Sequence, residues 1–256
     1  MKVGTARRIL LGLAVVFLGG MLLLALAGDK EARRELPAQF AAWGTIGAVV
    51  FAGYWFKVRP RRDLHRAEAA QLRLSSAPGD PFGMLDRGFA LLGHVSSAKD
   101  IENTSWGSWR GREVVVVDYW FARSSDPQRA DHRYVTGAAT TVPDAWPELA
   151  IVPMSLAGRM AQALGSGGLG SELERFNRAF DVRSTDPRFA SAVLDPSMIE
   201  WLLDLPEGTG FEIRGATALA VVPRPRFDDV RGALETLQAF LERIPPVVAS
   251  LYPDRA

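Results

Sequence analysis

Asp118 is the residue of this chain that most needs a chemical explanation. It interrupts the β-branched and aromatic run 113–122 (EVVVVDYWFA), and a carboxylate taken into an apolar strand is costly unless a partner meets it. Arg112 and Arg133, on nearby strands, are the cations that could supply one. The expectation is a structural ion pair ahead of a catalytic acid. Around the same hairpin stand Trp106, Trp109, Tyr119 and Trp120, together with Arg110 and Arg112. Tryptophan, tyrosine and arginine dominate protein-binding hot spots. Trp106, Trp109, Arg110, Arg112 and Tyr119 therefore form the candidate binding patch, with core packing as the competing reading.

Other constellations point away from catalysis. His65, His94 and His132 are scattered, none four residues from another and none beside a carboxylate at ligand spacing, so each reads as an ordinary surface or loop histidine. With no histidine partner evident and no G-x-S-x-G elbow, the serines are unremarkable as nucleophiles. The chain has no cysteine, which excludes disulfides, thiol catalysis and cysteine-based zinc sites. Gly165-Ser166-Gly167-Gly168-Leu169-Gly170 matches G-x-G-x-x-G by letter. A phosphate cradle needs a strand before it and a helix after it; here the order is reversed, and the stretch reads as a linker. Asp195, Glu200 and Asp204 mark a solvated helix edge. No metal and no cofactor are expected.

The elements that must position these residues follow from punctuation and period. Residues 61–74 read as a helix, broken at 75–81 (SSAPGDP), with Asp80-Pro81 suited to cap a short helix over 82–92. Strands follow over 101–109, 113–122, 132–142 and 149–154, a meander of about four antiparallel strands. The run 113–122 has the composition of a strand covered on both faces. A helix over 156–164 leads into the glycine linker. Beyond it, 176–183 alternates as a strand, Asp186-Pro187 and Asp195-Pro196 open two helices, and 211–214 with 217–222 form a hairpin around Gly215-Ala216. The last helix carries Phe227, Val230, Leu234, Leu237, Leu241 and Ile244 at spacings of three and four. That apolar stripe suits packing on the domain's own sheet or pairing with another copy, and Pro245-Pro246 should end it.

All of this hangs from an apolar hairpin. Residues 9–27 are nineteen positions without a charge, about 28 Å of helix against a hydrocarbon core of about 30 Å. Residues 37–56 form a second uncharged stretch with Trp43, Tyr54 and Trp55 toward its ends, as headgroup-level aromatics should be. Neither holds an ionisable group, which argues against a pump, carrier or channel. Gly44, Ala48 and Ala52 lie four apart, a small-residue face for helix packing within the hairpin or between copies. Ala25-Leu26-Ala27 before Gly28 also spells a signal-peptide cleavage site, an alternative that leaves the segment after Phe56 on the same side.

Charge sets the orientation. Lys2, Arg7 and Arg8 before the first span, with Lys57, Arg59, Arg61, Arg62 and Arg66 after the second, outweigh Lys30, Arg33 and Arg34 in the loop. Both ends are expected in the cytoplasm. Residues 1–62 hold ten Lys and Arg against three Asp and Glu, whereas 63–256 hold twenty against twenty-six. The soluble part is thus mildly acidic, which removes the basic footprint of a nucleic-acid binder.

Two segments carry a resemblance. Trp109-Arg110-Gly111-Arg112 leading to Asp118-Tyr119, and the block 174–203 (ERFNRAFDVRSTDPRFASAVLDPSMIEWLL), resemble bacterial membrane proteins with a two-helix N-terminal anchor, known only as a domain of unknown function. The resemblance implies topology and fold, and no active site. The resulting expectation is an α+β protein: a transmembrane hairpin over 1–60, a helical stalk over 61–93, and a cytoplasmic domain of antiparallel sheet over 94–256, in sub-blocks 94–164 and 171–256, closed by an amphipathic helix. Its expected role is a membrane-tethered binding or scaffold module, with the bilayer and a protein partner or second copy as its contacts. A membrane-associated enzyme acting on a lipid-derived or small-molecule substrate is the alternative.

Overall fold

The computed structural model describes residues 59–93, 99–122, 132–154, 172–223 and 230–253. The chain divides into two compact units, Met1–Leu64 and His65–Ala256, and the fold described below is that of the second. The expected spans at 9–27 and 37–56, the Gly44, Ala48 and Ala52 face, the helix at 156–164 and the glycine linker all lie outside the described residues. Among the described residues no helix is long and apolar enough to cross a membrane.

The domain is α+β, built on one eight-stranded, wholly antiparallel sheet. The strands are β1 (Ser75–Pro78), β2 (Lys99–Trp109), β3 (Arg112–Ala122), β4 (His132–Thr141), β5 (Leu149–Pro153), β6 (Phe180–Ser184), β7 (Gly210–Arg214) and β8 (Thr217–Pro223). Their spatial order is β1-β2-β3-β4-β8-β7-β5-β6. The expected four-strand meander therefore holds for β2, β3 and β4 only. β4 pairs with β8, and β5 crosses to the far side between β7 and β6. The two expected sub-blocks consequently share one continuous sheet. Its outer edges are short strands, and β1 ends in Pro78, a residue tolerated at an edge because it lacks an N–H to donate.

Among the described residues the α-helices are α1 (Arg59–Gln71), α2 (Glu172–Ala179), α3 (Pro187–Val193), α4 (Pro196–Asp204), α5 (Val230–Arg243) and α6 (Pro246–Leu251). Alternation along β3 divides the core. Val114 and Val116 join the cluster under the helices, while Val117 and Tyr119 face the other side. On the helical side Phe211 of β7 stacks on Phe240 of α5 at 4.4 Å and lies 5.5 Å from Trp201 of α4, tying sheet and two helices together. The expected stripe on α5 is accounted for here, since Val230, Leu234, Leu237 and Ile244 are buried on the sheet.

The other face is covered by the segment read as part of a helical stalk. It runs instead as strand β1 and two 3-10 turns, Met84–Arg87 and Ala90–Leu92. Gly88 at φ 74° breaks any continuous helix over 82–92, and Met84, Phe89, Leu91 and Leu92 pack against Ile101, Tyr119 and Leu219. Asp80 accepts the N–H groups of Met84 and Leu85 at 2.9 and 3.0 Å, but the turn starts at Met84 with Gly83 as its N-cap, so the expected Asp80 cap with Pro81 at the first helical position is not formed. Glu212 is buried on β7 and accepts from Ala90 and Leu91 at 2.9 and 3.0 Å. Burial raises the pKa of Glu212 above the ordinary carboxylate range, and the two N–H groups pull it back in part.

Two further expectations need correcting. The alternating stretch 176–183 is helix α2 followed by strand β6, because Phe176 and Phe180 lie one helical turn apart and pack ring to ring at 5.2 Å. Pro245-Pro246 does end α5, but Pro246 then opens α6, as a proline in the first turn can.

Candidate functional site

β2 and β3 are joined by a two-residue turn, Arg110-Gly111, with Trp109 paired to Arg112 across it. Both turn residues have positive φ, 48° at Arg110 and 79° at Gly111, the geometry that matches the right-handed twist of the flanking strands. Glycine adopts it freely. Arginine at the first position costs about 1 kcal/mol or more in backbone strain. The Arg110 side chain lies over the Trp109 ring at 4.5 Å. Its Nη1 donates to Gln238 Oε1 of α5 at 2.8 Å, and Nη2 stands 3.9 Å from Glu235. The hairpin tip is thereby held on α5.

Between tip and helix lies a shallow pocket of about 30 Å³. Its floor is Val114, Leu234 and Leu237, its walls Trp109 and Leu241, and its rim Arg110, Arg112 and Gln238. Arg110 is 55% exposed, and Arg112 is also exposed. Among the described residues the Arg112 guanidinium makes no ion pair or hydrogen bond, its backbone pairing with Trp109. The pocket seats the end of one aliphatic side chain and falls far short of the ~300–1,000 Å³ of a small-molecule site.

The five residues of the candidate patch do not form one surface. Trp109, Arg110 and Arg112 meet at this pocket on the helical side. Trp106 points to the opposite face, where it packs edge-on against Phe82 at 5.3 Å. Tyr119 is buried on that face too, donating its hydroxyl to the Leu92 carbonyl at 2.9 Å, and burial drives its pKa upward. Pleat parity explains the split, because successive strand residues alternate faces.

Asp118 is buried, and its partner comes from α1. His65 Nδ1 lies 3.1 Å from Asp118 Oδ2, His65 Nε2 lies 2.7 Å from Ser105 Oγ, and Asn103 Nδ2 donates to Asp118 Oδ2 at 2.9 Å. The Nδ1 contact is one of proximity and not a hydrogen bond, so the imidazole is hydrogen-bonded through Nε2 to the serine. Arg133 stands opposite Phe121, three positions along β4 from the Thr136 that faces Asp118, and so belongs to the other face of the sheet. His65, read from the sequence as a surface or loop histidine, is 1% exposed; His94 and the side chain of His132 lie outside the described residues.

Serine, imidazole and carboxylate here stand in the spatial order of a hydrolytic triad, without the imidazole–carboxylate hydrogen bond. Their setting differs. Ser105 sits in mid-strand at 0% exposure and Asp118 at 1%, so no acyl group can approach the hydroxyl in this conformation. The arrangement gives Oδ2 of the buried carboxylate an amide donor and a nearby imidazole, and it ties α1 to the sheet. One turn further along α1, Glu68 accepts the N–H groups of Val230 and Arg231 at 3.0 and 2.9 Å, capping α5 from a distance. A β-bulge between Ile101 and Asn103 makes the relay possible: it sends Ile101 to one face and Asn103 to the other, where unbroken pleating would give both the same face.

No family model and no curated protein matches the chain. Among solved structures it is similar to the crystal structure of the mycobacterial trehalose monomycolate transport factor A, at 13% sequence identity and a TM-score of 0.49, over 77% of this chain and 99% of that one.

Proposed function

We propose that the chain is a membrane-tethered binding module. In this reading residues 9–27 and 37–56 anchor it with both ends in the cytoplasm, and the α+β domain offers the surface at Trp109, Arg110 and Arg112 to a protein partner. The observation that carries the reading is the strained hairpin tip: a left-handed arginine stacked on a tryptophan at the rim of a solvent-open apolar pocket. Strain of this kind is retained where surrounding structure and function over-determine it. The enzymatic alternative needs a cleft that reaches a carboxylate, and the His65–Asp118–Ser105 relay is sealed at 0–1% exposure.

The test is affinity capture of the full chain from detergent-solubilised membranes, paired with carbonate extraction and a reporter fused after Ala256. The reading predicts resistance to carbonate, a cytoplasmic reporter signal and repeated recovery of the same partner. Release by carbonate, an external reporter, or capture that returns nothing while a metabolite screen detects turnover would contradict it.

A further inference from the structure

We infer that the partner at the Trp109–Arg112 pocket is an acidic protein segment that inserts one aliphatic side chain and sets a carboxylate on Arg112. The inference rests on the binding-module reading and deepens it. The floor of Val114, Leu234 and Leu237 is apolar and buried, and it needs an apolar group in return. The rim holds two arginines, of which Arg110 faces Glu235, while the neighbouring Gln238 donates to Glu242. Arg112 is thus the rim cation left to meet a carboxylate, which favours an acidic segment as the partner.

The two arginines have different roles. Arg110 is committed to Trp109 and Gln238, and its exposed contact with Glu235 at 3.9 Å is weak enough to exchange. Arg112 stands ready beside the pocket, with a planar fork suited to bidentate hydrogen bonding of a carboxylate. Pocket size argues for a peptide over a lipid. A depression of about 30 Å³ takes the end of one side chain, whereas an acyl chain needs a long apolar channel.

The experiment is fluorescence anisotropy on the full chain in detergent micelles, with three short synthetic peptides. One carries a central leucine flanked by Asp and Glu, one replaces that leucine by serine, and one replaces the acidic flanks by lysine. Phosphatidylglycerol and phosphatidylcholine vesicles serve as competitors. Binding of the acidic leucine peptide alone is expected, weakening with salt, with Kd raised about tenfold by Arg112→Ala and lowered affinity in Arg110→Asn. Equal binding of the lysine peptide, or affinity untouched by both variants, overturns the inference. Displacement by phosphatidylglycerol vesicles that depends on Arg112 would reassign the site to lipid, and a dimer dissociated by Arg112→Glu would reassign it to a second copy; either also overturns it. If affinity capture recovers a partner that Arg112→Glu fails to release, this inference fails while the module reading stands.

Discussion

Removing the imidazole of His65 takes one neighbour from the buried Asp118 carboxylate and leaves a cavity beside it, so His65→Ala is expected to cost about 3 kcal/mol of unfolding free energy. Ser105→Ala, which deletes the outer hydroxyl of the same relay, should cost only about 1 kcal/mol. Urea titration of both variants checks the order, and equal losses would show that the relay does not hold Asp118. A second residue-scale prediction concerns acid. The Tyr252 hydroxyl donates to Asp186 Oδ2 at 2.6 Å, and this bond, more than any other cause, holds the pKa of Asp186 below the ordinary carboxylate value. A depressed carboxylate gives stability that is present above the unfolded-state value of about 3.9 and lost as pH falls through the folded one. Tyr252→Phe should therefore flatten the fall in Tm between mildly acidic and strongly acidic buffer; an unchanged slope would count against the linkage.

At the scale of elements, the domain depends on caps supplied from afar. Glu68 reaches from α1 to the first turn of α5, where a carboxylate meets free N–H groups and the positive end of the helix dipole. Glu68→Ala is expected to destabilise the domain by about 1 kcal/mol and to speed amide exchange selectively in the first turn of α5. Uniform exchange along the helix would contradict that role. The hairpin tip should behave in the opposite sense. Arg110→Asn suits the left-handed turn better, so it should leave Tm unchanged or raised while weakening partner binding; a variant that lost stability and kept binding would refute the assignment of strain to function.

Local devices of this kind were partly legible. Asp186 and Asp195, each followed by proline, opened α3 and α4 as their spacing implied, and the β7–β8 hairpin closed at Gly215-Ala216. Short-range chemistry writes itself into neighbouring letters. The relay did not, because His65 and Ser105 are 40 positions apart and the bulge at Glu102 leaves no compositional mark. The same limit hid the split of the five-residue patch. Trp106 and Trp109 look like neighbours until the pleat puts them on opposite faces, and α2 looked like a strand because its apolar residues satisfy both periods over so short a length.

Taken whole, the domain from His65 onward is an antiparallel sheet covered on both faces, with its few buried polar groups sealed and its β2–β3 hairpin tip open. Chemistry in the interior serves cohesion: the relay and Glu68 fasten α1, the helix that follows the expected second span, to both sheet and α5. In the proposed reading recognition falls to the rim of the Trp109 pocket, where a strained arginine, exposed Arg112 and an apolar floor coincide. The most direct test is site-specific photo-crosslinking in intact membranes, with a crosslinking amino acid placed at Arg112 and, as a control, at exposed Asp204. A discrete adduct with one acidic protein from position 112, absent from position 204, is the predicted result. No adduct at 112, or the same adducts from both positions, would contradict the proposal that this surface is where the protein meets its partner.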